Sequence, residues 1–172
     1  METITAHLIG QTIFSNDSQA FSLYEKSALG EKVGEKVQYA LPEALYLIEK
    51  KKIQVLVKGK KLTTHQLLEK LQKIDKQIQV KTRVFQDLRE KGYIVKTALK
   101  FGAAFRVYNK HSKIGEQHAR WLVYPVWESE TVKWHEFAAK SRVAHSTKKQ
   151  VLIAIVDEES DVSYYEVDWK KI

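Results

Sequence analysis

Between residues 93 and 126 two apolar, strand-like runs, 93–100 and 105–108, precede a polar insertion, 109–117, and a third apolar run, 121–126. Short apolar runs of this kind predict strands, and a polar segment between strands runs over the surface, where its backbone groups meet water. The stretch therefore demands a sheet with an exposed loop mounted on it. Tyr108 stands at the entrance to the loop and His118 at its exit. Loops held by a rigid scaffold are favoured places for chemistry.

The remaining chain reads as support. Alternating runs at 4–9 and 12–14, ended by Ser15, Asn16, Asp17 and Ser18, predict a small antiparallel strand pair and a turn, and Gly30 and Gly34 mark a loop. Pro42 opens a helix carrying Leu45, Leu47 and Ile48 towards three lysines at 50–52. A strand at 53–57 and a Lys58-Gly59-Lys60 turn come next. Thr63 or Thr64 caps a helix whose apolar stripe is Leu67, Leu68, Leu71, Ile74 and Ile78. A further helical stretch with Val84, Phe85 and Leu88 stops at Gly92. Beyond the loop, Ser129 or Thr131 opens a helix with Trp134, Phe137, Ala138 and Ala144 inward. Arg142 and Lys149, two turns apart, share its face if it runs that far. The continuous apolar run 151–156 reads as a central strand covered on both sides. The acidic turn 157–161 leads into a return strand at 162–169, itself a plausible dimer edge. The pattern is α/β (α+β). A small N-terminal mixed α/β domain, 1–80, is expected to pack on a C-terminal nuclease-like domain, 81–172, with a central mixed sheet flanked by helices.

Composition narrows the function. The 172 residues are 44% hydrophobic, enough for a core, and no apolar run approaches the roughly 18 residues of a membrane helix. The first ten residues lack a basic stretch followed by an apolar one, so a cytoplasmic protein is expected. With no cysteine, disulfides and thiolate chemistry are excluded. A net charge of +8 favours a polyanionic partner. The six histidines form no i, i+4 pair, and residues 93–108 contain neither Asp nor Glu. A metal-dependent nuclease wants carboxylates on adjacent strands. Metal-free RNA cleavage stays open: it needs a base for the ribose 2′-OH, an acid for the departing 5′-oxygen, and a cation for the phosphorane. Tyr108, His118 and Lys149 can fill those places if the fold gathers them. Singly, each also reads as a rim aromatic, a surface histidine and a solvated lysine, and spacing alone does not choose.

Four blocks in order, DLREKGYIVKT (87–97), KFGAAFRVY (100–108), EQHARWLV (116–123) and SRVAHSTKKQVLIAIVD (141–157), resemble the archaeal tRNA-splicing endonucleases, or tRNA-intron lyases. A weaker match lies at PEALYLIEKKKIQV, 42–55. The resemblance implies Tyr108 as general base, His118 as general acid and Lys149, next to Lys148, as transition-state stabiliser. It implies a 2′,3′-cyclic phosphate and a 5′-hydroxyl as products, with no metal or other cofactor. It also implies a flipped bulge base held between two cationic side chains. Arg142 matches the first, and Trp169 stands where the second is expected. Ala104 departs from the aspartate that members commonly carry. His145, in a matched block, reads as a structural histidine, buried or hydrogen-bonded. The implied substrate is precursor tRNA with a bulge-helix-bulge. Its two cut sites imply a homotetramer, or a heterotetramer with a second subunit, in which the acidic turn of Asp157, Glu158, Glu159 and Asp161 docks into a neighbour. The rival from another class is a noncatalytic RNA-binding or scaffold subunit of the same assembly.

Overall fold

The computed structural model describes residues 3–113, 115 and 117–172. Ile114 and Glu116, both inside the polar insertion, lie outside the described residues, and so does the first residue of the EQHARWLV block. The chain divides into two compact units, residues 1–82 and 83–172.

The first unit is built on a six-stranded sheet. Its elements are β1 (Ile4–Ile9), β2 (Thr12–Ser15), α1 (Ser18–Ser27), β3 (Glu31–Val33), β4 (Lys36–Tyr39), α2 (Leu41–Glu49), β5 (Ile53–Val57), β6 (Lys60–Lys61) and α3 (Thr64–Ile74). The strand order is β3-β4-β2-β1-β5-β6, with β1 and β5 parallel and the other pairs antiparallel. Alternation drives this. Ile4, Ala6 and Leu8 of β1 are buried with Ile13, Val37, Ile53 and Val55. Each such side chain contributes about 1.5–3 kcal/mol when fully buried. Of the residues read as a turn at 15–18, Ser15 ends β2 and Ser18 opens α1, with Asp17 as its cap, the carboxylate accepting from the Gln19 N–H at 2.9 Å. Glu43, buried in α2, accepts from the N–H of Gly30 at 2.8 Å and of Ala40 at 3.3 Å, tying the loop before β3 to the helix. Gly30 is obligatory there, since a Cβ would stand 2.4 Å from Val37 Cγ1 at a φ of +82°.

Thr63 caps α3 as expected, but the stripe does not reach Ile78 in one helix. The Asp75 carboxylate accepts from the Gln77 N–H at 2.9 Å, and α4 (Ile78–Glu90) starts afresh. In sequence α4 crosses the division between the units.

The second unit continues with β7 (Ile94–Ala98), a 3-10 turn (Leu99–Phe101), β8 (Ala103–Tyr108), β9 (Trp121–Trp127), α5 (Trp134–Ser146), β10 (Gln150–Val156) and β11 (Val162–Val167). The strand order is β11-β10-β9-β8-β7, with β9 and β10 parallel and the rest antiparallel. One face lies under α5, where Ala98, Ala103, Leu122, Tyr124, Ala144 and Val151 form a core. The other meets α4: Phe85 stacks on Phe105, with ring centroids 5.7 Å apart, and the Tyr164 hydroxyl donates to Asp87 at 2.6 Å. The mixed α/β class read from the sequence is the class the chain adopts.

Two expectations for α5 change. It begins at Trp134 after Lys133, not at Ser129 or Thr131, with no side-chain cap, and Trp134 is 83% exposed rather than inward. It also ends at Ser146, so Lys149 does not share a helical face with Arg142.

Candidate active site

Strand order decides which side chains can meet. Across the three central strands, Val107 pairs with Trp121, and Trp121 with Gln150. The row continues one step further: the Arg120 N–H donates to the Val107 carbonyl and the Gln150 N–H to the Arg120 carbonyl, both at 2.9 Å. Tyr108 ends β8, Lys149 precedes β10, and residues 118–120 are sewn between them. Neighbouring strands lie about 4.8 Å apart, so the backbones carrying Tyr108 and Lys149 are roughly 10 Å apart, within reach of two long side chains that lean towards one another. Arg106 pairs with Leu122, and Leu122 with Val151, so alternation puts Arg106, Tyr108 and Lys149 on the face covered by α5.

Lys149 owes its position to the way α5 stops. Lys148 adopts a left-handed φ of 56°, its N–H bonds the His145 carbonyl at 3.0 Å, and the Lys149 N–H bonds the Ala144 carbonyl at 2.8 Å. This pair of bonds is a Schellman motif, with a lysine where glycine is usual. The turn leaves Lys148 exposed and Lys149 half-buried. The Lys149 ammonium donates to the Thr147 carbonyl at 2.9 Å and lies 5.2 Å from the Phe101 ring centroid. Burial, and next the positive charge of Arg106, hold its pKa below the ordinary lysine range. Arg106 was not singled out from the sequence. The signal was there: an arginine two residues before Tyr108 in an otherwise apolar strand must share that tyrosine's face.

His118 is exposed, between exposed Gln117 and buried Ala119. The Ser112 hydroxyl donates to Gln117 Oε1 at 2.7 Å, joining the two arms of the insertion beside His118. Tyr108, largely buried, pairs across the sheet with Ile94.

Arg142 and Trp169 fall close to the same helix end. Arg142 is exposed on α5, and His145, three residues on, stacks on Trp169 with centroids 4.6 Å apart. His145 is therefore exposed rather than buried, and among the described residues its side chain makes a ring contact with Trp169 and no hydrogen bond.

The acidic turn occupies the opposite end of the sheet. It closes on itself, with the Asp161 N–H donating to Asp157 Oδ1 at 2.8 Å and the Ser160 N–H to the Asp157 carbonyl at 3.0 Å. Glu128 adds a carboxylate there, accepting from the Glu158 N–H at 3.1 Å. Among the described residues no three His, Asp or Glu side chains gather as a metal site, and no helix is long and apolar enough to cross a membrane.

Residues 78–164 match the family described as tRNA intron endonuclease, catalytic C-terminal domain, and residues 4–68 match tRNA intron endonuclease, N-terminal domain. The tRNA-splicing endonuclease of Thermococcus onnurineus is 42% identical over 171 residues, 99% of this chain and 98% of that one. That of Pyrococcus abyssi is 39% identical over the same shares. That of Nanoarchaeum equitans is 41% identical over 137 residues, 76% of this chain and 88% of its own.

Proposed function

This chain belongs to the tRNA intron endonuclease family, and on that footing we propose that it cuts precursor tRNA at bulge-helix-bulge intron junctions without a metal ion, leaving a 2′,3′-cyclic phosphate and a 5′-hydroxyl. The activity is that of a tRNA-splicing endonuclease. In the proposed reaction the ribose 2′-oxygen attacks the adjacent phosphorus as its bond to the 5′-oxygen breaks. Tyr108 accepts the 2′-OH proton, His118 delivers one to the departing 5′-oxygen, and the Lys149 ammonium lies against the charge that accumulates on the phosphorane. The observation carrying this reading is the hydrogen-bonded row Val107–Arg120–Gln150, which draws the end of β8, the residues after the loop and the start of β10 together. Metal independence draws its support from the charges at that end, where Arg106 and Lys149 share a strand face that has no carboxylate between residues 93 and 108.

Arg142 and Trp169 would grip a splayed bulge base, the ring of Trp169 stacking and the guanidinium lying opposite. A bulge-helix-bulge offers two cut sites and one chain offers one catalytic set, so at least two copies act together. Asp157, half-buried, and the exposed Glu158, Glu159 and Asp161, at the far end of the sheet, suit docking into a basic surface of another subunit. The edge strand β11, with Tyr165 57% exposed, suits pairing with a second copy. A homotetramer meets these needs, as does a heterotetramer with a second subunit.

The test is cleavage of a labelled bulge-helix-bulge RNA in excess EDTA by the parent and by His118→Ala. The parent should make two cuts with cyclic phosphate ends, and the variant should lose about 10²–10⁴-fold in rate while still binding. Cleavage that requires magnesium, or a His118→Ala rate within about tenfold of the parent, would sink the mechanism.

A further inference from the structure

On the α4 side of the candidate catalytic end lies a cluster that the mechanism does not use. Tyr93 and Trp121 meet edge to face, with ring centroids 5.6 Å apart and planes at 78°. Each ring carries a cation: Lys110 Nζ lies 5.0 Å from the Tyr93 centroid, and Arg120 Cζ 4.3 Å from that of Trp121. The Lys110 stem runs over Gly92, where an added Cβ would meet its Cδ at 3.9 Å. We propose that Lys110 and Arg120, held out on the Tyr93–Trp121 pair, form a second phosphate-contact site for the RNA backbone, across the sheet end from Arg142 and Trp169.

Chain position supports this. Lys110 follows Tyr108 by two residues and Arg120 follows His118 by two, so each cation borders one of the groups proposed to handle protons. A strand laid over the sheet end, with its scissile phosphate between Tyr108 and His118, then meets these cations on one side and Arg142 on the other.

Both cations are available to a phosphate. Lys110 is exposed and has no ion pair among the described residues. Arg120 donates through Nε to Gln150 Oε1 at 3.4 Å and through Nη2 to Glu166 Oε2 at 3.2 Å. Its Nη1 has no partner among the described residues. Glu166 is itself shared, accepting from Trp121 Nε1 at 2.6 Å and from Gln150 Nε2 at 3.2 Å. Glu166 is thus an ion-pair partner that fixes the guanidinium's orientation, and a phosphate would meet Arg120 through the free Nη1 edge. A cation resting on a ring has already given up part of its rotamer freedom, which lowers the entropy cost of meeting a phosphate.

This proposal rests on the reading of the chain as an RNA endonuclease, and its test separates the two. Affinity for a labelled bulge-helix-bulge RNA is measured across salt concentration in a His118→Ala background, where no cleavage confuses the binding. Adding Lys110→Ala with Arg120→Gln should weaken binding about tenfold near 0.15 M salt and flatten the slope of log affinity against log salt by roughly 1.4–1.8, two phosphate contacts at about 0.7–0.9 each. Arg120→Gln also removes a partner of Glu166 and risks misfolding. Lys110→Glu, at an exposed position without an ion pair, is the second variant and should weaken binding at least as much as Lys110→Ala. Unchanged affinity and slope in Lys110→Glu and in a folded double variant would overturn the proposal. So would a fall in the mass of the assembly with RNA affinity unchanged, which would show that the surface receives an acidic segment of another subunit. If the parent binds this RNA but does not cut it in EDTA, the catalytic reading fails and the salt slope still decides the site. If it does not bind RNA at all, both fall.

Discussion

The two ends of the second unit's sheet are made by the same strands and carry opposite charge. At one end, where β8 stops and β9 and β10 begin, stand Arg106, Lys110, Arg120, Lys148 and Lys149. At the other, where β9 and β10 stop, stand Glu128, Glu130, Asp157, Glu158, Glu159 and Asp161. The acidic end is tied by Asp157 accepting within the turn, Glu128 reaching across to Glu158, and Arg83 of α4 donating to the Ser160 carbonyl. The basic end is held by main-chain bonds from strand to strand, with the Lys149 ammonium on the Thr147 carbonyl and the Arg120 guanidinium on Gln150 and Glu166. The difference teaches that a strand's polarity can sort charge as well as topology. A polyanion approaching this sheet is drawn to one end and repelled from the other.

The comparison is broken most severely by removing a proposed catalytic group from the basic end. Tyr108→Phe should lower single-turnover cleavage by about 10²–10⁴-fold with RNA affinity retained. A loss below about tenfold would take the proton-accepting role away from Tyr108. At the acidic end, the fourfold variant Asp157→Asn, Glu158→Gln, Glu159→Gln, Asp161→Asn keeps the turn's acceptors and should reduce the mass seen by light scattering. An unchanged mass would deny the acidic end a part in assembly.

A smaller effect sharpens the electrostatics. The Lys149 side-chain NMR resonance should titrate below the ordinary lysine range, because burial and the Arg106 charge both disfavour the ammonium. Arg106→Gln should move that titration upward, and an unmoved midpoint would refute the coupling. The sign for stability follows. A lysine whose folded pKa lies below its unfolded value binds its proton less tightly when folded. It therefore opposes folding at neutral pH, and the opposition fades as pH rises from the folded pKa through the unfolded one. Smallest of all, Lys148→Gly should stabilise the fold by about 1 kcal/mol, roughly 2–4 °C in Tm, by relieving a left-handed non-glycine residue. If it instead cost more than about tenfold in cleavage, Lys148 rather than Lys149 would be the reacting cation.

Much of the fold was legible because the physics was local. The strands of the second unit, the antiparallel β10–β11 hairpin and the Thr63 cap follow from alternation and capping chemistry. What escaped depended on partners distant in sequence or on unusual residues. The cluster at 15–18 has a turn's composition, yet Asp17 spends its carboxylate on a helix start. The end of α5 carries no glycine to announce it, so Lys148 hides a turn. At the candidate site the residue types were visible, but not the strand order that lays β9 between β8 and β10. Lys110 and Arg120 could not be paired from sequence either, since Tyr93 and Trp121, the rings that join them, sit on separate segments.

The turn between α5 and β10 also sets a tolerance. Two backbone bonds span Ala144 to Lys149, and the next residue enters the strand. Inserting or deleting a single residue in that span would break one or both of these bonds while β10 keeps its register, so the turn that seats the lysine depends on the span's length as well as its residues. Anyone transplanting the proposed chemistry to another scaffold would therefore have to carry the helix-ending hexapeptide intact, and not the three proposed catalytic side chains alone.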